Sequence, residues 1–177
     1  QILSDTPYKK TLDVLSKVIK DLNIKLKYVD LGGGFGISYN KKDKQINLKN
    51  YAKLVCNFKK ELNCNIIFEP GRSIVGNTGI LVSKIQYIKK GLNKNFIIID
   101  AGMNDFMRTA LYDAYHNIVP IIKTGKKSPE PIEFVGPICE TSCKFSKYKK
   151  YQKIKEGDFV AITDVGAYGF SLSSNYN

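Results

Sequence analysis

The sequence predicts an α/β fold that gives way, near residue 78, to a mostly β region. Up to Thr78, helical apolar spacings alternate with short strand-like runs, and each run ends in a glycine-bearing loop. From Gly79 onward the apolar residues fall in short β-like runs, and no long helical period follows. A domain boundary is therefore expected at Thr78/Gly79, with residues 1–78 forming the α/β part and residues 79–177 the β part.

The elements follow in order. Residues 7–22 carry Leu12, Leu15, Ile19 and Leu22 at a spacing that marks one helical face, widened by Val14 and Val18. Asp5 and Thr6 suit the N-cap, with Pro7 in the first turn. Residues 26–30 read as a strand that empties into Leu31-Gly32-Gly33-Gly34-Phe35-Gly36. A second helix is expected over 48–62, with Leu48, Tyr51, Val55, Phe58 and Leu62 on one face. The run 65–68 reads as a buried strand and ends in the turn Glu69-Pro70-Gly71-Arg72. This order implies parallel strands joined by helical crossovers. Both glycine loops then lie at the same end, the carboxyl end of the strands, where α/β folds bind ligands. Further strands are expected over 80–88, 96–100, 118–122, 132–135 and 158–163, with a polar loop over 123–130.

The chain has 177 residues and a formal charge of +12, almost all of it from lysine, since only Arg72 and Arg108 are arginines. A charge of this size raises the question of nucleic acid. The lysines are spread along helix faces and loops, with one dense run from Lys147 to Lys155, and the expectation is a solvated surface. The four cysteines, Cys56, Cys64, Cys139 and Cys143, lack metal-ligand spacing, and His116 is the only histidine. No metal site is expected, and reduced thiols in a cytoplasmic protein are the default. No apolar run reaches the roughly 20 residues of a membrane span. The first residues look like the tail of a strand and the last stop in a polar stretch, so the chain reads as an internal piece of something longer.

Five stretches carry chemistry. The glycine loop 31–36 can cradle a phosphate with its N–H groups or serve as a tight turn; it lacks the spacing of a dinucleotide fingerprint. Glu69, at a strand end, either pairs with a cationic ring nitrogen or forms a surface salt bridge with Arg72 or a lysine. Gly71 permits close backbone approach of an anion. Arg108, in a chain that otherwise uses lysine, suits planar carboxylate recognition, with Tyr112 four residues on to share the anion; the alternative is a structural ion pair. Cys139 beside Glu140 can move a proton, although a lone cysteine is more often buried. Tyr168, on a glycine-flanked turn, is either a contact to a ligand or a packing residue.

Together the segments LGGGFGI, FEPGRSIVGNTG, DAGMNDFMRTALYDAYH, VGPICE and DVGAYGFSLSSNYN resemble the diaminopimelate decarboxylase family, within the alanine-racemase-like class of pyridoxal-phosphate (PLP) enzymes. The resemblance runs from residue 31 to 177, and Gln1-Ile2 is similar to the end of a further family segment. It implies the C-terminal part of a PLP-binding (β/α)8 barrel followed by a β-domain, in a cytoplasmic homodimer with its site at the interface. By resemblance, Gly34, Glu69, Pro70, Gly71, Arg72 and Tyr168 bind the cofactor, with Glu69 on the pyridinium nitrogen and the Gly71 and Arg72 backbone on the phosphate. Arg72, Arg108, Tyr112, Glu140 and Tyr168 contact the substrate, and Cys139 returns a proton to the α-carbon. The implied reaction is decarboxylation of meso-diaminopimelate to L-lysine. A decarboxylase of ornithine, arginine or the polyamine pathway is the nearest rival, followed by a non-catalytic homologue that binds protein partners. A nucleic-acid module would rest on Lys147 to Lys155 alone.

The sequence departs from the family in three places. No lysine sits in a motif that would carry the cofactor covalently, so the 177 residues alone are expected to be inactive. Thr109 follows Arg108 where the family has proline, and Thr141-Ser142-Cys143 stands where it has Ser-Gly-Asp.

Overall fold

In the computed structural model, which describes residues 1–40 and 42–177, the chain divides into two units, Gln1–Ile74 and Val75–Asn177. The first helix of the first unit, α1, spans Asp5–Asp21. Its N-cap is Ser4, whose backbone is extended (φ −144°, ψ 161°), so Asp5 and Thr6 lie in the first turn and not at the cap as expected. There Asp5 complements the partial positive charge of the helix start. Tyr8, Leu12, Ser16 and Ile19 face inward. Val14, Val18 and Leu22 are exposed, which narrows the predicted face to a single stripe.

The next helix, α2, spans Leu48–Leu62 as predicted and buries Tyr51, Val55 and Phe58. The Asn47 side chain caps it, accepting from the backbone N–H groups of Lys49 and Asn50 at 3.1 Å each. Asn63 ends it in the left-handed region (φ 47°), which asparagine tolerates. Leu48, at the first helical residue, is exposed and not on the buried face. Strands β1, Tyr28–Asp30, and β2, Asn65–Ile67, pair in parallel with Val29 opposite Ile66. The expected burial of β2 is incomplete: Ile67 and Phe68 are exposed. Side chains alternate across a strand, so one side of this two-stranded sheet supplies Val29 and Ile66 to the core and the other turns Ile67 outward.

A single turn, α3, spans Arg72–Val75, where the two units meet in sequence. The second unit begins with β3, Leu81–Lys90, and β4, Asn95–Ile99. It continues with α4, Arg108–Tyr112, then β5, Ile118–Pro120, β6, Lys127–Ser128, and β7, Ile132–Val135. It ends with β8, Lys144–Tyr148, β9, Tyr151–Gln152, and β10, Phe159–Ile162. Six strands form one sheet in the order β5-β10-β3-β4-β7-β8, antiparallel throughout except for the parallel β4–β7 pair. Ile85, Ile97, Ile99, Phe106, Phe134 and Ile162 form its core.

Further regions differ from the sequence reading. The loop expected over 123–130 contains β6, which pairs with β9. The lysine-rich run from 147 to 155 is more than a solvated face. Tyr148 and Tyr151 turn inward there, packing edge-on against Phe134 at 6.0 and 5.3 Å between ring centres. Their hydroxyls bond the backbone N–H and carbonyl of Ile118 at 2.6 and 3.1 Å, and burial pushes both phenols above their ordinary range. Lys149 and Lys150 lie between these anchors and are exposed.

Candidate functional site

In the first unit the two glycine-bearing loops leave the carboxyl ends of β1 and β2 side by side. Hydrogen bonds continue the strand pairing into the loops, from Leu31 N–H to Ile67 C=O at 3.0 Å and from Glu69 N–H to Gly32 C=O at 2.8 Å. The Asp30 carboxylate accepts from Gly32 N–H at 2.7 Å and fixes the first bend. Gly34 has φ +83°, a conformation few other residues adopt. A Cβ on Gly33 would overlap the Glu69 carbonyl, so the two loops meet backbone to backbone.

Beneath this contact lies an aromatic cluster. Tyr8 and Tyr51 are 4.6 Å apart between ring centres, and Phe35 lies 5.2 Å from Tyr51. The Tyr8 hydroxyl donates to Gly33 C=O at 3.2 Å. Burial, with the neighbouring Tyr51 phenol second, pushes it up to about 12. Glu69, Pro70 and Gly71 are exposed above the strand ends, and a Cβ on Gly71 would meet nothing within 4 Å. Arg72 opens α3; its Nη1 donates to Gln1 Oε1 at 3.2 Å and its guanidinium lies 5.9 Å from the Tyr39 ring centre. Gln1 Oε1 also accepts from Ile37 N–H at 3.1 Å. Gly34, Glu69, Pro70, Gly71 and Arg72 thus share one end of the first unit, where a carboxylate, glycine backbone and a guanidinium come together.

In the second unit, the segment after β4 is fastened before it reaches Arg108. The Asp100 carboxylate accepts from Ser83 Oγ at 2.5 Å and from Lys84 N–H at 2.8 Å. Burial works to raise Asp100, but these hydrogen bonds outweigh it and hold the carboxyl below its ordinary range. Ser83 Oγ accepts in turn from Ala101 N–H at 3.0 Å. Asp105 closes the next turn, its carboxylate accepting from Gly102 N–H at 2.7 Å. Helix α4 then begins with Arg108, only 5% exposed for a charged side chain.

The Arg108 guanidinium is held at its Nε edge and lies near an aromatic ring. Nε donates to His116 Nε2 at 3.2 Å, and the group lies 5.8 Å from the Tyr168 ring centre. Tyr168 has left-handed backbone (φ +60°) in the turn after β10. Tyr112, one helical turn past Arg108, is exposed.

The loop after β7 packs on the segment before α4. A Cβ on Gly136 would crowd Ala101 and Gly102, Met103 N–H donates to Cys143 Sγ at 3.4 Å, and Ser142 Oγ lies 3.3 Å from Met103 Sδ. Cys143 therefore has a structural place in the stretch where the family has Ser-Gly-Asp. Cys139 is exposed, contrary to the common burial of a lone cysteine, and so is Glu140. The Tyr176 hydroxyl donates to Glu140 Oε1, and that bond raises the Tyr176 phenol. Arg108 and Tyr168 are therefore brought into contact, while Cys139 and Glu140 lie on a loop joined to the stretch leading into α4.

Sequence reasoning missed His116, Tyr8 and Ser83. His116 was legible only as the sole histidine, and a lone residue has no spacing to read. Among the described residues, no cluster of three or more metal-ligating side chains occurs, and no helix is long and apolar enough to cross a membrane.

The loops, the buried arginine and the sheet define a class. The sequence model of the pyridoxal-dependent decarboxylases, C-terminal sheet domain, matches residues 8–166, and the chain belongs to that family. Its relatives include the diaminopimelate decarboxylase of Aquifex aeolicus, 39% identical over 180 residues that cover all of this chain and 43% of that protein. The Haemophilus influenzae enzyme of the same name is 46% identical over 167 residues, covering 94% of this chain and 40% of its own length. The crystal structure of Helicobacter pylori diaminopimelate decarboxylase complexed with L-lysine superimposes with a TM-score of 0.89 at 41% identity, over all of this chain and 44% of that one. A lysine/ornithine decarboxylase from Vibrio vulnificus, at 18% identity and a TM-score of 0.84, shares the fold. The chain spans less than half the length of these curated relatives.

Proposed function

We propose that this chain forms part of a PLP-dependent enzyme that decarboxylates meso-diaminopimelate to L-lysine and CO2 in the cytoplasm. The first unit is read as the closing part of a (β/α)8 barrel, and the second as its C-terminal β-domain. The observation that carries the substrate assignment is Arg108. A buried guanidinium with its orientation fixed is built for a planar anion, and diaminopimelate keeps a carboxylate at the end that does not react. Ornithine offers no carboxylate there. The names of the relatives support the same reading.

The donor set of the first unit fits the cofactor. Gly34 and the backbone of Gly71 and Arg72 suit a phosphate, and the open space above Gly71 allows close approach. Glu69 suits a protonated ring nitrogen. When bound, PLP supplies an electron sink for the pair released as CO2 leaves. The lysine that would carry the cofactor is not among these residues, and the chain's own groups supply the following parts. Glu69 keeps the ring nitrogen protonated, Arg72, Arg108 and Tyr112 bind substrate carboxylate, and Glu140 holds the distal amine. Tyr168 covers the Arg108 guanidinium and contacts both ligands. Cys139 Sγ delivers a proton to the α-carbon. In this reading Cys139 and Glu140 act across a homodimer interface, and neither nucleic acid nor membrane takes part.

The test is Glu69→Ala in the holoenzyme. Glu69 is exposed, so melting should hardly change, while kcat should fall by about a hundredfold or more. A kcat near the parent value would refute the assignment.

A further inference from the structure

The Arg108 guanidinium does not hold itself in place. We infer that His116 is the positioning residue that aims Arg108 at the substrate's distal carboxylate, an inference that rests on the function proposed above.

The argument begins with the donor inventory. Arginine Nε–H only donates, so His116 Nε2, 3.2 Å away, must accept and carries no proton. The other ring nitrogen, Nδ1, lies 2.9 Å from the Thr163 carbonyl, which only accepts, so Nδ1 carries the proton. These two contacts fix His116 as the neutral Nδ1–H tautomer. The ring is 1% exposed and meets the Phe106 ring edge-on at 4.6 Å between centres. The His116 carbonyl accepts from Ser146 Oγ at 2.6 Å. Its backbone is thus tied to β8, its ring to the end of β10, and the imidazole has no freedom to turn.

A neutral partner matters. A carboxylate in the place of His116 would offset the guanidinium charge that attracts the substrate. The imidazole fixes the Nε edge without adding a negative charge there. Because the guanidinium is a rigid plane, fixing Nε, with the Tyr168 ring centre 5.8 Å from the group, constrains the direction of the Nη edge as well. A bidentate carboxylate contact depends on that direction.

The experiment titrates the holoenzyme with L-lysine and with cadaverine, which lacks the carboxylate. His116→Phe keeps ring volume and removes the acceptor. It should weaken L-lysine by roughly tenfold or more and leave cadaverine close to the parent affinity. His116→Gln can present an oxygen near the Nε2 position and should restore L-lysine binding. His116→Asn is too short to do so and should not. If H116F does not fold, the H116Q and H116N pair decides, and equal L-lysine affinity in the two overturns the inference. Equal losses for L-lysine and cadaverine in H116F would mean a merely structural role and also overturn it. Arg108→Met separates the two levels of argument. If it loses L-lysine while H116F does not, the positioning role is wrong and the function stands. If R108M binds L-lysine normally, the reading of Arg108 itself fails, and the inference with it.

Discussion

Replacing Gly33 by alanine tests the contact that joins the two halves of the proposed cofactor cradle. The new Cβ would overlap the Glu69 carbonyl oxygen and lie 3.1 Å from its carbon. Both atoms are backbone, so no side chain can swing away. Relief requires the two loops to separate, which strains or breaks the 2.8 Å bond from Glu69 N–H to Gly32 C=O and the 3.2 Å bond from the Tyr8 hydroxyl. Overpacking costs about 1–3 kcal/mol, and a lost hydrogen bond about 1 kcal/mol. A total of about 2–4 kcal/mol at the site corresponds to a PLP affinity weakened roughly 30- to 1,000-fold. The assay is titration of PLP into the apoenzyme, followed by cofactor absorbance, with thermal melts of both forms. The holo form should lose more melting temperature than the apo form, because the strain sits where the cofactor adds stability. A G33A protein that binds PLP with parent affinity would show that the two loops need not touch to form the cradle.

Three further outcomes follow from the same geometry. Glu133 is buried with Lys94 bonded to one carboxylate oxygen and Lys147 Nζ 3.4 Å from the other. Burial works to raise its carboxyl, but the two lysines outweigh that and hold it below the ordinary range. Its contribution is therefore present above the unfolded glutamate value, about 4.3, and is lost as pH falls through the lower folded value; Glu133→Gln should cost about 1–3 kcal/mol at neutral pH and flatten the acid limb of the stability curve, as denaturant melts across pH would read. Tyr8 has the opposite sign: with its phenol raised to about 12, stability is full below the unfolded value of about 10 and lost between there and the folded value. Tyr8→Phe should remove that alkaline loss while costing about 1 kcal/mol at neutral pH, and an unchanged alkaline limb would contradict the burial of the hydroxyl. Phe134, fully buried between Tyr148 and Tyr151, should cost about 3–5 kcal/mol as alanine, read as the shift of a chemical-denaturation midpoint.

How much of this was legible in the sequence depended on length and period. The fifteen residues of α2 repeat their apolar spacing often enough to be read with its bounds. The five residues of α4 do not complete two turns, so no period existed to reveal them. Strand β8 was hidden for another reason: its most buried position is Ser146, whose hydroxyl serves the His116 carbonyl, so the alternation of apolar and polar residues was absent. At the start of α1, Ser4, Asp5 and Thr6 are all capping types, and only the extended backbone of Ser4 selects one. The site followed the same logic. Arg108 stood out because arginine is rare here, and Glu69 because it sits in a turn after a strand. His116 and Tyr8 act through partners distant in sequence, Thr163 and Gly33, and nothing local announces such pairs.

The central claim, that this chain belongs to an enzyme selecting a substrate with a distal carboxylate, is tested most directly by CO2 release from the holoenzyme. meso-Diaminopimelate, L-ornithine and L-arginine would be compared at equal concentrations with PLP in excess. The account predicts that diaminopimelate turns over fastest and that its product is L-lysine. Faster release from ornithine would contradict it, because the fixed guanidinium of Arg108 would then face an ammonium group it should repel.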